Sequence, residues 1–478
     1  MFKQVLKDIK EITRPIIQGG MGVGVSGWKL AKAVALAGGV GTVSGTAVAN
    51  LLADSLQKGD KDGSFRKALA SFPFPKVAQE VLEAYFIEGG ISKEKKKKEI
   101  PLWSFNPARI LIALTICANY SFVWLAKEGH KNPIFVNYLE KIQMPHIYSI
   151  LGAMLADVDG VVMGAGIPAF IPMVFDDILA GNTLWYPVRV TNHPGKYVHI
   201  KFNAIEFFEG PMPEMIRPIF FPIVSSNVLA EKLLKMCPGK IDGFIVETDT
   251  AGGHNAPPRG QLQLDIEGQP IYGERDKINF AKFINLGVPF WLAGSFAKGL
   301  QKALGLGASG IQAGTIFAFT EESGIEFELK QKAMALIFQN QASVFTSPKA
   351  SPTGFPFKIL RMKGTLIEKE LYNSRNRACS LGYLREPIWL NEKILFRCSA
   401  EPVADYIHKG GCEADTIDCM CVCAGLCATV GARNNEIPLV TTGDDLSCVL
   451  ECMMLSKCGL FGDINYTAKD AIQYIESL

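Results

Sequence analysis

Residues 241–260 read IDGFIVETDTAGGHNAPPRG, and the interpretation of the whole chain starts from this stretch. Its first part, residues 241–246, is mostly apolar and predicts a short buried strand. The strand leads into a loop where Gly252 and Gly253 allow close approach of the backbone, followed by His254. In parallel-sheet folds, ligands bind beyond the carboxyl ends of the strands. The stretch alone leaves two interpretations open: a reaction centre around His254, or a Gly-Gly turn with an ordinary loop histidine.

Seven more short apolar runs flank this one, with helical patterns between them. The eight predicted strands cover residues 15–18, 40–44, 133–137, 160–163, 219–224, 242–246, 289–293 and 309–313. Alternating strands and helices indicate the α/β class, and eight such units indicate a closed (β/α)₈ TIM barrel. We predict this barrel in residues 1–330, with a helical insertion at about 52–130 and a hairpin at about 183–202. Residues 331–478 are predicted to form a mixed, Cys-rich C-terminal extension.

The composition restricts the partners of the chain. A hydrophobic share of 48% suits a globular core, and a net charge of +2 creates no field that would attract nucleic acid or anionic lipid. Residues 1–13 lack the apolar core of an export signal. The apolar run 110–126 is interrupted by Asn119, Tyr120 and Ser121 and is short for a membrane span, so a buried helix is predicted. We expect a cytoplasmic protein with a small-molecule substrate and no nucleic-acid or membrane partner; a homodimer stays open.

Ten of the twelve cysteines lie between Cys379 and Cys458. Without an export signal, reduced thiols are expected rather than disulfides. The spacing of Cys419, Cys421 and Cys423, with Cys427 nearby and Cys398 and Cys412 at a distance, allows a metal interpretation. However, C-x-C-x-C is atypical of zinc and does not match ferredoxin spacing. We therefore predict no metal and expect thiols packed as small hydrophobic groups.

The first predicted strand runs into a glycine-rich loop. Residues 22–27 fit G-x-G-x-x-G, but a Rossmann site also needs an acidic residue at the end of the second strand, and Asp54 falls well past that point. The favoured interpretation is that Gly20 and Gly22 let the backbone pass over a flat ligand at the barrel mouth, where Met21 offers a soft contact. A plain tight turn is the alternative.

The loops after the seventh and eighth strands carry small residues. In TIM barrels a phosphate commonly binds backbone N–H groups at these two loops. Ala293, Gly294 and Ser295 follow strand seven, and Ala313, Gly314 and Thr315 follow strand eight, with a hydroxyl donor on Thr315. Packing of helices against strands is the other explanation for small residues here. A flat ligand with its phosphate at these loops describes flavin mononucleotide (FMN), and His254 would exchange protons over the ring.

Together these motifs resemble the nitronate monooxygenases, formerly called 2-nitropropane dioxygenases. The likeness covers about residues 14–330 and includes, in order, residues 15–22, 40–44, 134–137, 163–168, 250–254 and 307–315. It implies an FMN-binding TIM barrel with His254 in the catalytic position. The predicted FMN-binding residues are Gly20, Met21, Gly22, Asn137, Gly253, Ala293, Gly294, Ser295, Ala313, Gly314 and Thr315.

The chain differs from that family at two positions, and two further regions resemble only part of the family. Ser295 stands where many relatives have Gly, and Ala313 replaces a common Met, which widens the site. The loop with Pro257, Pro258 and Arg259, and the long C-terminal region, resemble a larger subgroup. That subgroup approaches the trans-acting enoyl reductases of polyketide and polyunsaturated fatty-acid synthases.

The resemblance implies an FMN-dependent oxidoreductase of the nitronate monooxygenase type. Such an enzyme oxidises alkyl nitronates with O₂ to a carbonyl compound and nitrite, with His254 holding the nitronate oxygens or removing the α-proton. The alternative is an enoyl-thioester (enoyl-ACP) reductase that uses NAD(P)H through FMN. A third alternative is a barrel subunit without catalysis. The remaining histidines are expected to be structural: His130, His146, His193, His199 and His408.

Overall fold

The computed structural model describes residues 9–92, 94–433, 435–456 and 465–478. Predictions about most of segment 1–13 and about Cys458 lie outside the described residues.

Eight parallel strands form one closed sheet. We number them β1 to β8 in chain order: Ile16–Gln18, Gly41–Ser44, Ile134–Leu139, Gly160–Gly164, Ile219–Val224, Phe244–Glu247, Phe290–Ala293 and Gly310–Ala313. Each strand pairs with its sequence neighbour, and β1 also pairs with β8. The sheet closes between β1 and β2, where Gln18 N–H donates to Val40 O at 3.0 Å and Val40 N–H to Ile16 O at 2.9 Å. The predicted TIM barrel is confirmed, with every strand end within two residues of its predicted position.

The inside of the barrel is filled with side chains. Phe135, Phe221, Ile245 and Trp291 are almost fully buried. They belong to a cluster whose buried members all lie on the strands or directly beside them. The rings of Phe221 and Trp291 stack with centroids 5.0 Å apart. Because the interior leaves no channel, a ligand has to bind at an end of the barrel.

Helices surround the barrel. Within the barrel region the described α-helices are Ile9–Ile12, Trp28–Leu36, Val48–Gln57, Ser64–Ala70, Pro75–Tyr85, Arg109–Lys127, His146–Leu155, Ile171–Ala180, Ala204–Phe208, Asn227–Met236, Phe280–Ile284, Leu300–Gly305 and Thr315–Ala318. Four of them lie between β2 and β3, in the range predicted to be a helical insertion. Asn227–Met236 begins where the Ser226 side chain accepts a hydrogen bond from Leu229 N–H at 3.1 Å, a typical N-cap.

The helix Arg109–Lys127 is long and apolar enough to cross a membrane by composition alone. It lies inside this fold, since 83% of its most apolar window is buried, and it packs against His146–Leu155 and Val48–Gln57. The predicted buried helix is therefore present. The cytoplasmic location stays a prediction.

An antiparallel hairpin stands between β4 and β5, in the range where one was predicted. It pairs Leu184–Arg189 with Tyr197–Phe202. The loop at its tip is hydrogen-bonded to the C-terminal part: Thr191 N–H donates to Pro387 O, and Trp389 N–H donates to Thr191 O.

The C-terminal part packs directly on the barrel. It contains the hairpins Val344–Ser347 with Phe357–Leu360 and Glu386–Leu390 with Lys393–Arg397. The helix Phe327–Phe338 spans residue 330, and the later helices are Lys369–Ser374, Val403–His408, Val422–Thr429, Ser447–Leu455 and Ala468–Glu476. Leu439, Cys427 and Tyr466 belong to the same hydrophobic core as Leu30 and Val43. A boundary at residue 330 stays a prediction, since one continuous core spans it.

Candidate functional site

A cavity of about 240 Å³ opens at the carboxyl ends of the strands. Every residue predicted from the sequence to bind or react there lines it. They are Gly20, Met21 and Gly22 after β1, Asn137 on β3, Gly253 and His254 after β6, Ala293, Gly294 and Ser295 at β7, and Ala313, Gly314 and Thr315 at β8. Cavities of about 150 Å³ already hold a single aromatic ring, so this one has room for a larger ring system.

The loop after β6 is held in shape by Asn255. This side chain is fully buried, and its Nδ2 donates to Ala251 O at 2.8 Å. The backbone of the loop also pairs with the C-terminal part: Asn255 N–H donates to Pro356 O, and Lys358 N–H donates to Gly253 O. These contacts leave His254 little freedom and orient its ring at the cavity wall.

His254 is paired with Ser351. The Nε2 atom of His254 and the Ser351 Oγ atom share a hydrogen bond of 2.7 Å, and Ser351 Oγ lies 2.9 Å from Thr353 Oγ1. The Phe357 ring packs edge-on against the imidazole at 4.8 Å between centroids. Burial lowers the pKa of His254 to about 4, so the ring is neutral at neutral pH.

Glu247, the last residue of β6, lines the same cavity. Burial raises the pKa of its carboxyl group to about 8, so most of it is protonated at pH 7. It takes part in no side-chain hydrogen bond with the described residues, which leaves its proton available to a ligand. Glu247 was not predicted as a site residue, although an acidic residue at the carboxyl end of a buried barrel strand itself indicates a functional site.

The first loop contacts β3 through Asn137. Its Nδ2 donates to Gly20 O at 2.9 Å. A Cβ atom added to Gly20 would lie 2.2 Å from the Asn137 Cβ atom. The glycine at position 20 is therefore required by a protein side chain, which corrects the expectation that a ligand alone excludes its Cβ. At Gly22 an added Cβ would approach the Ser44 hydroxyl at 3.1 Å.

The loops after β7 and β8 present unused backbone donors. Gly294 has φ of +92°, and an added Cβ would lie 2.2 Å from the Thr248 Oγ1 atom, so only glycine fits. Four N–H groups here donate to no other residue in the described ranges: those of Gly294, Ser295, Gly314 and Thr315. Thr315 Oγ1 accepts a hydrogen bond from Gly443 N–H at 2.8 Å, which leaves its own proton free for a ligand.

Residues 441–445, which we call the mouth strap, line the cavity with four of their five residues. Gly253 N–H donates to Thr441 Oγ1 at 2.9 Å, and the buried Lys358 ammonium pairs with Asp444 at 2.8 Å. An added Cβ on Gly252 would lie 2.8 Å from Gly443 N, because the strap lies directly against this glycine. Ser351 and the mouth strap were missed by sequence reasoning, since no pattern indicates which distant segment packs on the barrel mouth.

Three buried polar atoms in this cavity have no hydrogen-bond partner in the described part of the chain. They are Asn137 Oδ1, Gln312 Nε2 and Thr442 Oγ1. Leaving a buried donor or acceptor unpaired costs about 1–3 kcal/mol each, so such groups are rare unless a ligand or water satisfies them. The cavity therefore has the polar groups of a binding site, with both donors and acceptors facing inward.

The other residues considered for chemistry lie elsewhere. None of the five remaining histidines lines the cavity. Burial lowers the pKa of His146 to about 4, and its Nδ1 lies 3.0 Å from the Tyr186 hydroxyl in the core. The eleven cysteines of the described ranges are all unpaired. No group of three or more His, Cys, Asp or Glu side chains there is arranged to hold a metal ion.

The chain matches no protein-family model and no curated protein. Solved structures similar to it include FabK from Thermotoga maritima, with a TM-score of 0.48 and 16% identity over 98% of this chain and 93% of that one. Nitroalkane oxidase from Streptomyces ansochromogenes gives a TM-score of 0.44 and 13% identity over 98% and 96%. The enoyl reductase domain of MlnA from Bacillus amyloliquefaciens gives 0.38 and 12% over 78% and 70%. At these values the reaction has to be argued from the site itself.

Proposed function

We propose that this protein is an FMN-dependent oxidoreductase whose active site is the cavity at the barrel mouth. The observation that carries the proposal is the set of unpaired polar groups converging on one cavity. Asn137, Gln312 and Thr442 each present one buried unpaired atom, and the loops after β7 and β8 present four unused N–H groups.

The groups present fit FMN. Met21 and the amides of Asn137 and Gln312 would contact the flavin ring, whose edge carries both hydrogen-bond donors and acceptors. The N–H groups after β7 and β8, with the Thr315 hydroxyl, would hold the phosphate. Among the residues that the structure describes, no lysine or arginine lines the cavity, so these neutral donors would meet the phosphate charge. When bound, FMN supplies reversible one- and two-electron transfer that protein side chains lack.

His254 would orient the substrate. One ring nitrogen is already engaged by Ser351 at 2.7 Å, which fixes the ring and leaves the other nitrogen for a ligand. A neutral imidazole can donate to, or accept from, a carbonyl or nitro group without adding charge to the site. It would serve the same purpose as a donor in an oxyanion hole.

Glu247 distinguishes between the two candidate reactions. Reduction of an enoyl thioester adds a hydride to the β-carbon and a proton to the α-carbon, so the site needs a group that is protonated near neutral pH. Glu247 supplies such a proton at the cavity wall. This feature supports enoyl-thioester reduction, with NAD(P)H as the reductant, as the first choice.

Oxidation of an alkyl nitronate is the second candidate. It is supported by His254, which is unprotonated at neutral pH and could accept the α-proton of a neutral nitroalkane. A nitronate is an anion, however, and Glu247 and Asp445 are the acidic groups at this cavity. Nitronate binding would therefore depend on Glu247 keeping its proton.

Anaerobic mixing separates the candidates. The FMN-loaded protein is mixed with NADPH, and separately with an alkyl nitronate, while the flavin absorbance is followed. Bleaching by NADPH, reversed by an enoyl thioester, is the expected result. Bleaching by the nitronate alone would select nitronate oxidation instead. His254→Ala should keep FMN and lose turnover, and full activity in that variant would contradict the proposed site.

A further inference from the structure

Four thiols surround a second, small and apolar cavity in the C-terminal part. They belong to Cys379, Cys398, Cys421 and Cys423. The remaining wall is mainly apolar and includes Leu381, Leu384 and Met420. Two of these thiols come from the C-x-C-x-C motif that the proposed function leaves without a role.

Cys379 differs from its neighbours in structure. It lies in residues 375–385, which form neither helix nor strand, and it is only partly buried. Cys398 directly follows the strand Lys393–Arg397 and is 7% exposed. A partly accessible thiol on an irregular segment therefore packs against the buried cluster that contains Cys398.

The surroundings of Cys379 also make it the reactive thiol. Interaction with the Cys398 thiol, together with the Gly382 N–H group and the Arg385 charge, lowers the pKa of Cys379 to about 7. Burial raises the pKa of Cys421 to about 11 and that of Cys427 to about 12. Because the thiolate is the nucleophile, reaction at neutral pH is directed to Cys379 rather than to Cys421 or Cys427.

We propose that Cys379 and Cys398 are a reversible disulfide site that reacts with small disulfides of the glutathione class. The Cys379 thiolate attacks one sulfur of the small disulfide and releases one thiolate. The Cys398 thiol then gives up its proton, attacks the Cys379 sulfur and releases the second small thiol. Two protein thiols are oxidised, and one small disulfide is reduced to two thiols.

A disulfide between Cys379 and Cys398 would restrain a segment that contacts the barrel helices. The segment that carries Cys379 also carries Tyr383, whose hydroxyl donates to Asn50 Oδ1 at 2.7 Å on the barrel. Arg385 in the same segment donates to Trp103 O at 2.8 Å. Oxidation would therefore fix a segment that connects the C-terminal part to the barrel helices.

The test uses the full-length wild-type chain. The protein is equilibrated with oxidised glutathione, remaining thiols are alkylated, and peptides are mapped without reduction. We expect one linkage, between the peptides of Cys379 and Cys398, with loss of two hydrogen atoms and reversal by dithiothreitol. Cys412→Ser, which removes an exposed cysteine, should give the same linkage. Absence of the linkage, or a bond from Cys379 to Cys421 or Cys423 instead, would overturn the proposal.

A second variant tests the order of the two steps. Cys398→Ala should trap Cys379 as a stable glutathione adduct and slow its alkylation by iodoacetamide at pH 7 about tenfold, because the thiolate fraction falls. An unchanged alkylation rate would contradict the assigned pairing. Stoichiometric zinc in the purified wild-type protein would also overturn the proposal, since the same thiols would then be metal ligands.

Discussion

Replacing Glu247 with Gln tests the most unusual electrostatic feature of the site. Burial raises the pKa of this carboxyl group from 4.5 to about 8. The folded chain therefore holds the proton more tightly than the unfolded chain, and stability is lost as the pH rises through the window from 4.5 to 8. Each pH unit inside that window lowers the free energy of unfolding by about 1.4 kcal/mol.

The amide of Gln cannot ionise, so the variant should lack this loss. Between pH 5 and pH 7, the free energy of unfolding of Glu247→Gln should rise relative to wild type by about 2–3 kcal/mol. The assay is urea unfolding of the FMN-free proteins at both pH values, followed by tryptophan fluorescence. Glu88→Gln, on an exposed residue, is the matched control and should track the wild type at both pH values.

Activity provides a second measurement on the same variant. If protonated Glu247 donates the proton in enoyl reduction, wild-type turnover should fall about tenfold per pH unit above pH 8. The Glu247→Gln variant should turn over slowly, and its turnover should lack this fall above pH 8. An unfolding difference that does not change between pH 5 and pH 7 would refute the raised pKa, whichever substrate the enzyme uses.

Three further substitutions test the contacts that hold the cavity in shape. Ser351→Ala removes the hydrogen-bond partner of His254 and should lower turnover about tenfold while FMN affinity is kept; equal loss of both would mean that Ser351 only supports the fold. Gly252→Ala places a Cβ 2.8 Å from Gly443 N and should destabilise the protein by about 1–3 kcal/mol, whereas Gly305→Ala, with no atom within 4 Å of its Cβ, should not. Asp444→Asn leaves the buried Lys358 ammonium without its charge partner and should cost about 1–3 kcal/mol in urea unfolding; an unchanged midpoint would contradict the role of this ion pair.

The barrel could be predicted from the sequence because its strands are short, apolar and separated by helical patterns. β6 shows the reason: Phe244, Ile245 and Val246 are buried, and Gly243 and Thr248 border the strand. The site followed from the same argument, since the carboxyl ends of parallel strands meet at one mouth. All twelve predicted residues therefore line one cavity, although their role in binding FMN stays a prediction.

What the sequence did not provide are contacts between distant segments. Ser351 contacts His254, and the mouth strap lines the cavity; both come from the C-terminal part, and neither follows from a periodic pattern. The reason for Gly20 was also wrong in part, because Asn137, far along the chain, fills the space where a Cβ would be. Local patterns predict which segment forms a strand, but not which side chain fills a given space beside it.

The central claim is that the barrel mouth binds FMN, and a binding titration tests it most directly. Purified protein is stripped of small molecules, incubated with FMN, passed over a desalting column, and its visible spectrum is recorded. We predict one FMN retained per chain. A protein that elutes colourless after incubation with excess FMN would contradict the account and leave the barrel without its proposed chemistry.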